Sequence, residues 1–433
     1  MRFLAIILLL LPVPAAAHVA DPVRLKQSVE QLVGFGTRHT LSSATDPKRG
    51  IGAARTWVAG EFARLGLRVE RPARSFSGPR APNGVMVENV LGIQPGTDPN
   101  DMVIVAGHID SRVTDVMNAT ADAPGANDDG SGVALVLEAA RLLRGKPHRA
   151  TIVYAVLSGE EQGLWGGQLL AEVAKQRGWR VLAMLNNDIV GNTTDANGRV
   201  LDDRVRVFSE GLPASADLPA LKRLRQIGGE DDTPSRALAK RIDEVAAAER
   251  LRKNGYNQPV DSRPVVPLLI RRPDRFGRGG DHLPMLDAGF PAVRLTSGIE
   301  NYDAQHQDLR TENGRGYGDT VARMDFPYLT KVAALNVKVL RTLADAPPPP
   351  AQVILDGAVS SDTRVSWSAV PGASGYRVRW RRADSDTWLE LRDVPAGATN
   401  ALLKGVIVDD TFIGVASLGP NGEESLVTFG GLK

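Results

Sequence analysis

Thr151-Ile152-Val153-Tyr154-Ala155-Val156-Leu157-Ser158-Gly159-Glu160-Glu161-Gln162-Gly163-Leu164 carries an unbroken apolar run into a glycine and two adjacent carboxylates. The run does not alternate polar and apolar residues, as a strand with one wet face would. It reads as a strand buried on both faces. Similar runs occupy residues 89–93, 102–106, 181–187, 205–209 and 292–296. Helix-period stretches occupy residues 23–33, 51–65, 132–143, 163–177, 235–251 and 327–343. This alternation predicts an α/β fold with a mixed, largely parallel sheet sandwiched between helices. In such a sheet, residues just past the C-terminal ends of the strands converge on one crevice.

Chemistry-bearing residues stand at those ends. After residues 102–106 comes Gly107-His108-Ile109-Asp110-Ser111. His108 can give one ring nitrogen to a metal while Asp110 holds the other N–H and fixes the tautomer. Such a pair alone is more often a structural histidine with a satisfied partner. Next, Asn127-Asp128-Asp129-Gly130-Ser131-Gly132 leads into a helix. Its acids suit either a turn with an N-cap or, for Asp128, a carboxylate bridging two metal ions. Glu160 and Glu161 at a strand end are costly unless paired or coordinated; one can ligate a metal while its neighbour stays free as a base. A solvated helix start is the plainer reading. Asp188 follows residues 181–187, and His306 lies in the segment after residues 292–296. The pooled set of two histidines and several carboxylates suits two zinc ions sharing a carboxylate, with an open position for water.

These motifs in this order, from Gly107-His108-Ile109-Asp110-Ser111 through the acidic turn, Ser158-Gly159-Glu160-Glu161-Gln162-Gly163-Leu164-Trp165-Gly166 and Asn186-Asn187-Asp188, resemble the two-zinc aminopeptidases of metallopeptidase family M28. Secreted bacterial leucyl aminopeptidases, glutaminyl cyclases and glutamate carboxypeptidases belong to that family. The resemblance spans about residues 28–342 and takes in Gly36-Thr37-Arg38-His39-Thr40 and Gly280-Asp281-His282. It implies His108 and Asp188 as ligands of one zinc, Asp128 as the bridge, and Glu161 and His306 as ligands of the other. It implies Glu160 as general base and a cis peptide after Asp128. Members often carry a tyrosine immediately before the last histidine. Here Gln305 stands there, and Tyr302 is the candidate oxyanion donor. The family pattern also places His306 ahead of His282 as the ligand. The implied activity is removal of the N-terminal residue from peptides with a free N-terminus.

The rest of the chain sets the context. Its 433 residues suffice for more than one domain, and a formal net charge of +2 suggests no nucleic-acid or membrane-surface partner. Arg2, an apolar stretch over residues 3–13 and Ala15-Ala16-Ala17 read as a signal peptide over residues 1–17. The expected location is periplasmic or extracellular, with no membrane association after cleavage. There is no cysteine, so neither a disulfide nor a lipid anchor is expected, and any metal site must use His, Asp and Glu. Residues 18–345 are the expected peptidase domain, and the prolines of residues 346–350 a stiff linker. Residues 351–433 carry short alternating segments, among them Gly375-Tyr376-Arg377-Val378-Arg379-Trp380. They predict a small β-sandwich that resembles a fibronectin type III module.

Rival functions stay open at this level. A glutaminyl cyclase of the same fold uses one zinc, whereas the presence of both His108 and Asp188 favours two. A carboxypeptidase would need an arginine for the substrate carboxylate, for which Arg263, Arg271, Arg272 and Arg294 are candidates. A non-catalytic binding protein would lack a ligand, and none is missing. Oligomeric state is not legible.

Overall fold

In a computed structural model, residues 19–253 and 263–432 are described. The signal-peptide expectation for residues 1–17, and His18, lie outside them.

The apolar runs are strands covered on both sides. In Ala150–Leu157, Ile152, Tyr154 and Val156 join one core, while Val153, Ala155 and Leu157 join the other. This is the two-residue period of a strand with apolar residues on both faces. The larger core packs helices Pro22–Val33, Ile51–Arg64, Gly130–Leu143, Pro234–Lys253 and Phe326–Asp345. The smaller one packs Trp165–Gln176 and His282–Asp287. The sheet order is Arg68–Glu70, Val90–Gln94, Ala150–Leu157, Asp98–His108, Arg180–Asn187, Ala292–Ser297, Arg204–Phe208, Val266–Ile270. The four central strands, from Ala150–Leu157 to Ala292–Ser297, run parallel. Antiparallel pairings flank them. The sheet is therefore mixed, and its parallel centre gathers the ends of the strands carrying His108, Glu160 and Asp188 at one edge.

Two differences from the sequence expectation bear on function. The stretch expected as one helix over residues 163–177 is two, Glu160–Gly163 and Trp165–Gln176, with Leu164 in the left-handed region between them (φ 57°). The glutamate pair thus forms the first turn of a helix. The other difference is a set of elements not expected from sequence: the hairpin of Ala73–Gly78 and Ala81–Glu88, the strand Val266–Ile270 and the helix Leu218–Gln226. Much of the hairpin and of the helix is exposed, and packing did not need to write a strong pattern into them; Val266–Ile270 is a short apolar run interrupted by Pro267.

Beyond the last helix, residues 353–432 form two four-stranded sheets over one core, with the Trp367 and Tyr376 rings 5.3 Å apart. The proline segment before them is pinned. Ser417 Oγ donates to the Pro348 carbonyl (2.6 Å), Thr428 Oγ1 to that of Pro350 (2.6 Å) and Arg149 Nε to that of Ala346 (2.5 Å). Ion pairs from Arg379 to Glu244 and from the buried Arg381 to Asp232 fasten these sheets to the helical layer. No helix among the described residues is long and apolar enough to cross a membrane.

Candidate metal centre

His108 is the last residue of its strand, and its ring N–H geometry is set locally. Nδ1 lies 3.0 Å from the backbone carbonyl of Asp110, leaving Nε2 to face the cleft acids. The Asp110 carboxylate is 3.7 Å from Nδ1, beyond hydrogen-bonding range. It accepts instead from the N–H groups of Gly159 (2.9 Å), Glu160 (3.3 Å) and Glu161 (3.1 Å), and from the Thr40 hydroxyl (2.9 Å). Asp110 therefore anchors the start of the glutamate helix, where free N–H groups and the helix dipole favour an anion. Burial pushes its pKa up, but His108, Thr40 and the Glu161 N–H outweigh this and hold it below the ordinary value. Gly159 sits at φ 80°, a conformation that suits glycine in the tight passage from strand to helix.

The acidic turn sends its two aspartates in different directions. Asp129 is the N-cap of Gly130–Leu143, accepting from the Gly132 N–H (2.9 Å) and also from the N–H of His108 (3.0 Å) and Ile189 (3.3 Å). It ties three site segments together. The helix start lies so close to the sheet that a Cβ on Gly132 would meet the Asn187 carbonyl at 2.3 Å. Asp128 faces the cleft, and the Asp128–Asp129 peptide is cis. Its Oδ1 lies 3.1 Å from His108 Nε2 and its Oδ2 2.9 Å from His306 Nε2. One carboxylate thus faces two imidazoles, one with each oxygen.

The remaining residues complete two triads whose ligand atoms all lie within 4.8 Å of one another: His108, Glu160 and Asp188, and Asp128, Glu161 and His306. Asp188 Oδ1 is 3.8 Å from His108 Nε2, and Glu161 Oε1 is 3.0 Å from His306 Nε2. His108 Nε2 and Glu161 Oε1 are buried without a hydrogen-bond partner, so each has bonding capacity for a cation. The donors are all imidazole and carboxylate, which suits zinc. Burial lowers the His306 pKa, but Glu161 and Asp128 outweigh it and raise it to about 10. Groups that favour a proton on an imidazole also favour a divalent cation beside it. Burial foremost, then Glu161 and Asp188, pushes the Glu160 carboxyl well above the usual range. His306 and Ile189, next to Asp188, both take positive φ (58° and 60°). For non-glycine residues this is strain of a kind that clusters at functional sites.

The structure separates the other candidates. His282 is buried away from both triads, with Nε2 2.7 Å from the Pro273 carbonyl. His39 lies against the Val116 carbonyl and Gln162, and His148 against Asp345. Tyr302 lines the cleft but is 63% exposed, and Gln305 Nε2 reaches Asp128 Oδ2 at 3.3 Å. Three residues support the site in roles that were not read from sequence. Arg112 donates to Glu161 Oε2 (2.8 Å) and abuts His306 Nδ1. Arg294, proposed for a substrate carboxylate, lies 2.9 Å from Asp188 instead. Arg294 and His108 together overcome burial and lower the Asp188 pKa to about 2. Asp319 accepts from the N–H groups of Asn127 (2.9 Å) and Asp128 (2.7 Å), and burial raises its pKa to about 7. Only Arg112 had a legible signal, since it directly follows the His108 motif.

Comparison with known proteins agrees with this geometry. Residues 89–215 match peptidase family M28. A protein of Leptosphaeria maculans named "Probable zinc metalloprotease" is 41% identical over 408 residues, covering 92% of this chain and 91% of its own. One of that name from Pyricularia oryzae is 40% identical, covering 96% and 83%. The relative from L. maculans is fungal, whereas the sequence resemblance pointed to bacterial enzymes. Among solved structures, a leucine aminopeptidase precursor of Bacteroides thetaiotaomicron has a TM-score of 0.52 at 16% identity, covering 75% of this chain and 97% of that one. An aminopeptidase of Aneurinibacillus scores 0.51 at 14% identity, covering 75% and 94%. These likenesses place the α/β part among zinc exopeptidase folds. With the near-full-length relatives, the family match and the two clusters of zinc-type ligands in agreement, this chain belongs to peptidase family M28, the zinc metalloproteases.

Proposed function

We propose that the chain is a two-zinc aminopeptidase that releases the N-terminal residue of peptides with a free N-terminus. The observation that carries the reading is Asp128, whose two oxygens face His108 on one side and His306 on the other. His108 and Asp188 would hold one zinc, Glu161 and His306 the other, with Asp128 shared. Bound zinc supplies a Lewis acid that polarises the scissile carbonyl and acidifies water.

The chain's own part is proton handling and positioning. Glu160 is half-buried on the cleft wall, tied by its backbone to Asp110, and its carboxylate is available as a base. It takes a proton from the attacking water and delivers it to the departing amine as the C–N bond breaks. Arg112 and Arg294 hold Glu161 and Asp188 in place. Tyr302, at the cleft rim, is the proposed donor to the carbonyl oxygen. The aminopeptidase names of the Bacteroides and Aneurinibacillus structures support the exopeptidase reading. We further propose export by the N-terminal segment and a fibronectin type III-like, non-catalytic role for the tail.

Hydrolysis of Leu-p-nitroanilide, with and without a chelator, beside an N-acetylated peptide tests this reading. Chelator-sensitive cleavage of the free-amine substrate alone, with two zinc ions per chain, is expected. Cleavage of the blocked peptide, or one zinc per chain with full activity, refutes it.

A further inference from the structure

The cavity holding the metal ligands has a volume of about 660 Å³, and its lining is strongly charged, with the carboxylates of Asp128, Glu160, Glu161 and Asp188 beside four arginines. Arg80, Arg112, Arg275 and Arg278 line it, whereas among the described residues Leu164 and Tyr302 are its only large hydrophobic side chains. An apolar substrate side chain finds little to pack against. Arg112 and Arg80 are engaged with Glu161, the first through its carboxylate and the second through its carbonyl. Arg275 and Arg278 stand on a loop that is held in place. Arg275 Nη2 donates to the Gly279 carbonyl (3.0 Å), the Arg278 N–H to the Arg275 carbonyl (3.1 Å), and Arg294 Nη1 to Gly279 (2.8 Å).

The charges on this loop do not balance. The buried Glu300 is shared by Arg206 (2.8 Å), Arg278 (2.8 Å) and Arg275 (3.7 Å). Asp274 pairs with Arg275 (3.2 Å) and with Arg294 (3.4 Å), and Arg294 also pairs with Asp188 (2.9 Å), so four arginines share three carboxylates. Arg275 is nine-tenths buried and keeps its Nη1 without a hydrogen-bonded partner. The Arg278 side chain is 32% exposed and lines the cavity wall. A preorganised guanidinium with surplus positive charge behind it recognises carboxylates.

We propose that Arg278, backed by Arg275, forms a carboxylate-binding subsite within the cleft, and that the enzyme favours peptides placing a carboxylate there. The carboxylate is either an acidic side chain on the N-terminal residue or the free C-terminus of a dipeptide. This rests on the peptidase reading and narrows its substrate class.

Three substrates separate the cases: Leu-Leu-amide as neutral reference, Glu-Leu-amide and Leu-Leu. The zinc-loaded enzyme should cleave one carboxylate-bearing peptide with higher kcat/KM than the reference. Preference for Glu-Leu-amide assigns the side chain, and preference for Leu-Leu the C-terminus. Arg278→Gln should reduce that selectivity ratio on the order of ten- to a hundredfold, chiefly through KM, as expected for loss of a charged hydrogen bond. Arg278→Lys should restore part of it. Equal cleavage of all three peptides by wild type, or a preference that survives Arg278→Gln, overturns the subsite alone. If Arg278→Gln does not fold, an unchanged ratio in Arg278→Lys overturns it. Cleavage of none of the three overturns the peptidase reading as well.

Discussion

Replacing Asp110 with Asn keeps the shape of the side chain and removes its charge. In the native site the two carboxylate oxygens serve three backbone N–H groups and a hydroxyl. The single oxygen of Asn can keep Gly159 and Glu160, and the Thr40 hydroxyl can turn to accept. The Glu161 N–H then faces an amide NH₂ and is left unsatisfied, a cost of about 1–3 kcal/mol for a buried donor. The two remaining bonds lose their charge assistance, which brings the expected destabilisation to roughly 2–5 kcal/mol. Urea unfolding of metal-free protein measures it. Because the folded pKa of Asp110 lies below the unfolded value, the stabilisation is present above about pH 4 and fades as pH falls through the folded pKa. The gap between wild type and variant should narrow in that range. Zinc affinity should fall as well, by roughly ten- to a hundredfold. An unfolding midpoint unchanged without metal, with only zinc affinity reduced, would mean that Asp110 acts through His108 alone and would refute its anchoring of the glutamate helix.

Four further outcomes are expected. Glu160→Gln should retain its zinc content while turnover falls on the order of 10²–10⁴-fold, measured by metal analysis beside steady-state kinetics; an active variant would transfer the base role elsewhere. His306→Ala should lower zinc per chain, whereas His282→Ala should lower the melting temperature and leave stoichiometry intact, since His282 contacts Pro273 and not the metal ligands. Arg294→Met breaks a buried pair with Asp188, and calorimetry of metal-free protein should show a loss approaching the roughly 3–5 kcal/mol typical of such pairs, with less in the zinc-loaded form. Arg381→Met should lower thermal stability by less than that, because Lys240 still neutralises Asp232, while kcat changes little.

Much of the centre was legible because the sheet is buried on both faces. Burial forces apolar residues at every position of a strand such as Ala150–Leu157, so the first polar residues after it stand out. His108, Glu160 and Asp188 each stand at or within three residues of the end of such a strand. His306 was legible only through its rarity and the family pattern, since it lies nine residues beyond the end of its strand, in a loop that carries no period. The anchoring contacts of Asp110 were not legible, for a different reason. Spacing put it beside His108, but the groups that claim its carboxylate come from Thr40 and residues 159–161, and no local pattern encodes that pairing. The arginine candidates drawn from sequence went elsewhere too. Arg271 binds Asp386, Arg272 lies over the Phe276 ring and Arg263 lines a separate groove.

The order of apolar strands and helices, the acids and histidines at their ends, and the shift to short alternating strands after the prolines are local properties of the chain, and the sequence determined them alone. Which oxygen of Asp128 faces which imidazole, that Asp129 caps a helix while its neighbour faces the cleft, and that Arg80, Arg112, Arg275 and Arg278 rather than the arginines named from sequence line that cleft were decided only by the fold. Those are contacts between segments far apart in the chain. They depend on the parallel order of the central strands and on loops whose course follows from packing, and the spacing of residues along the sequence holds no record of either.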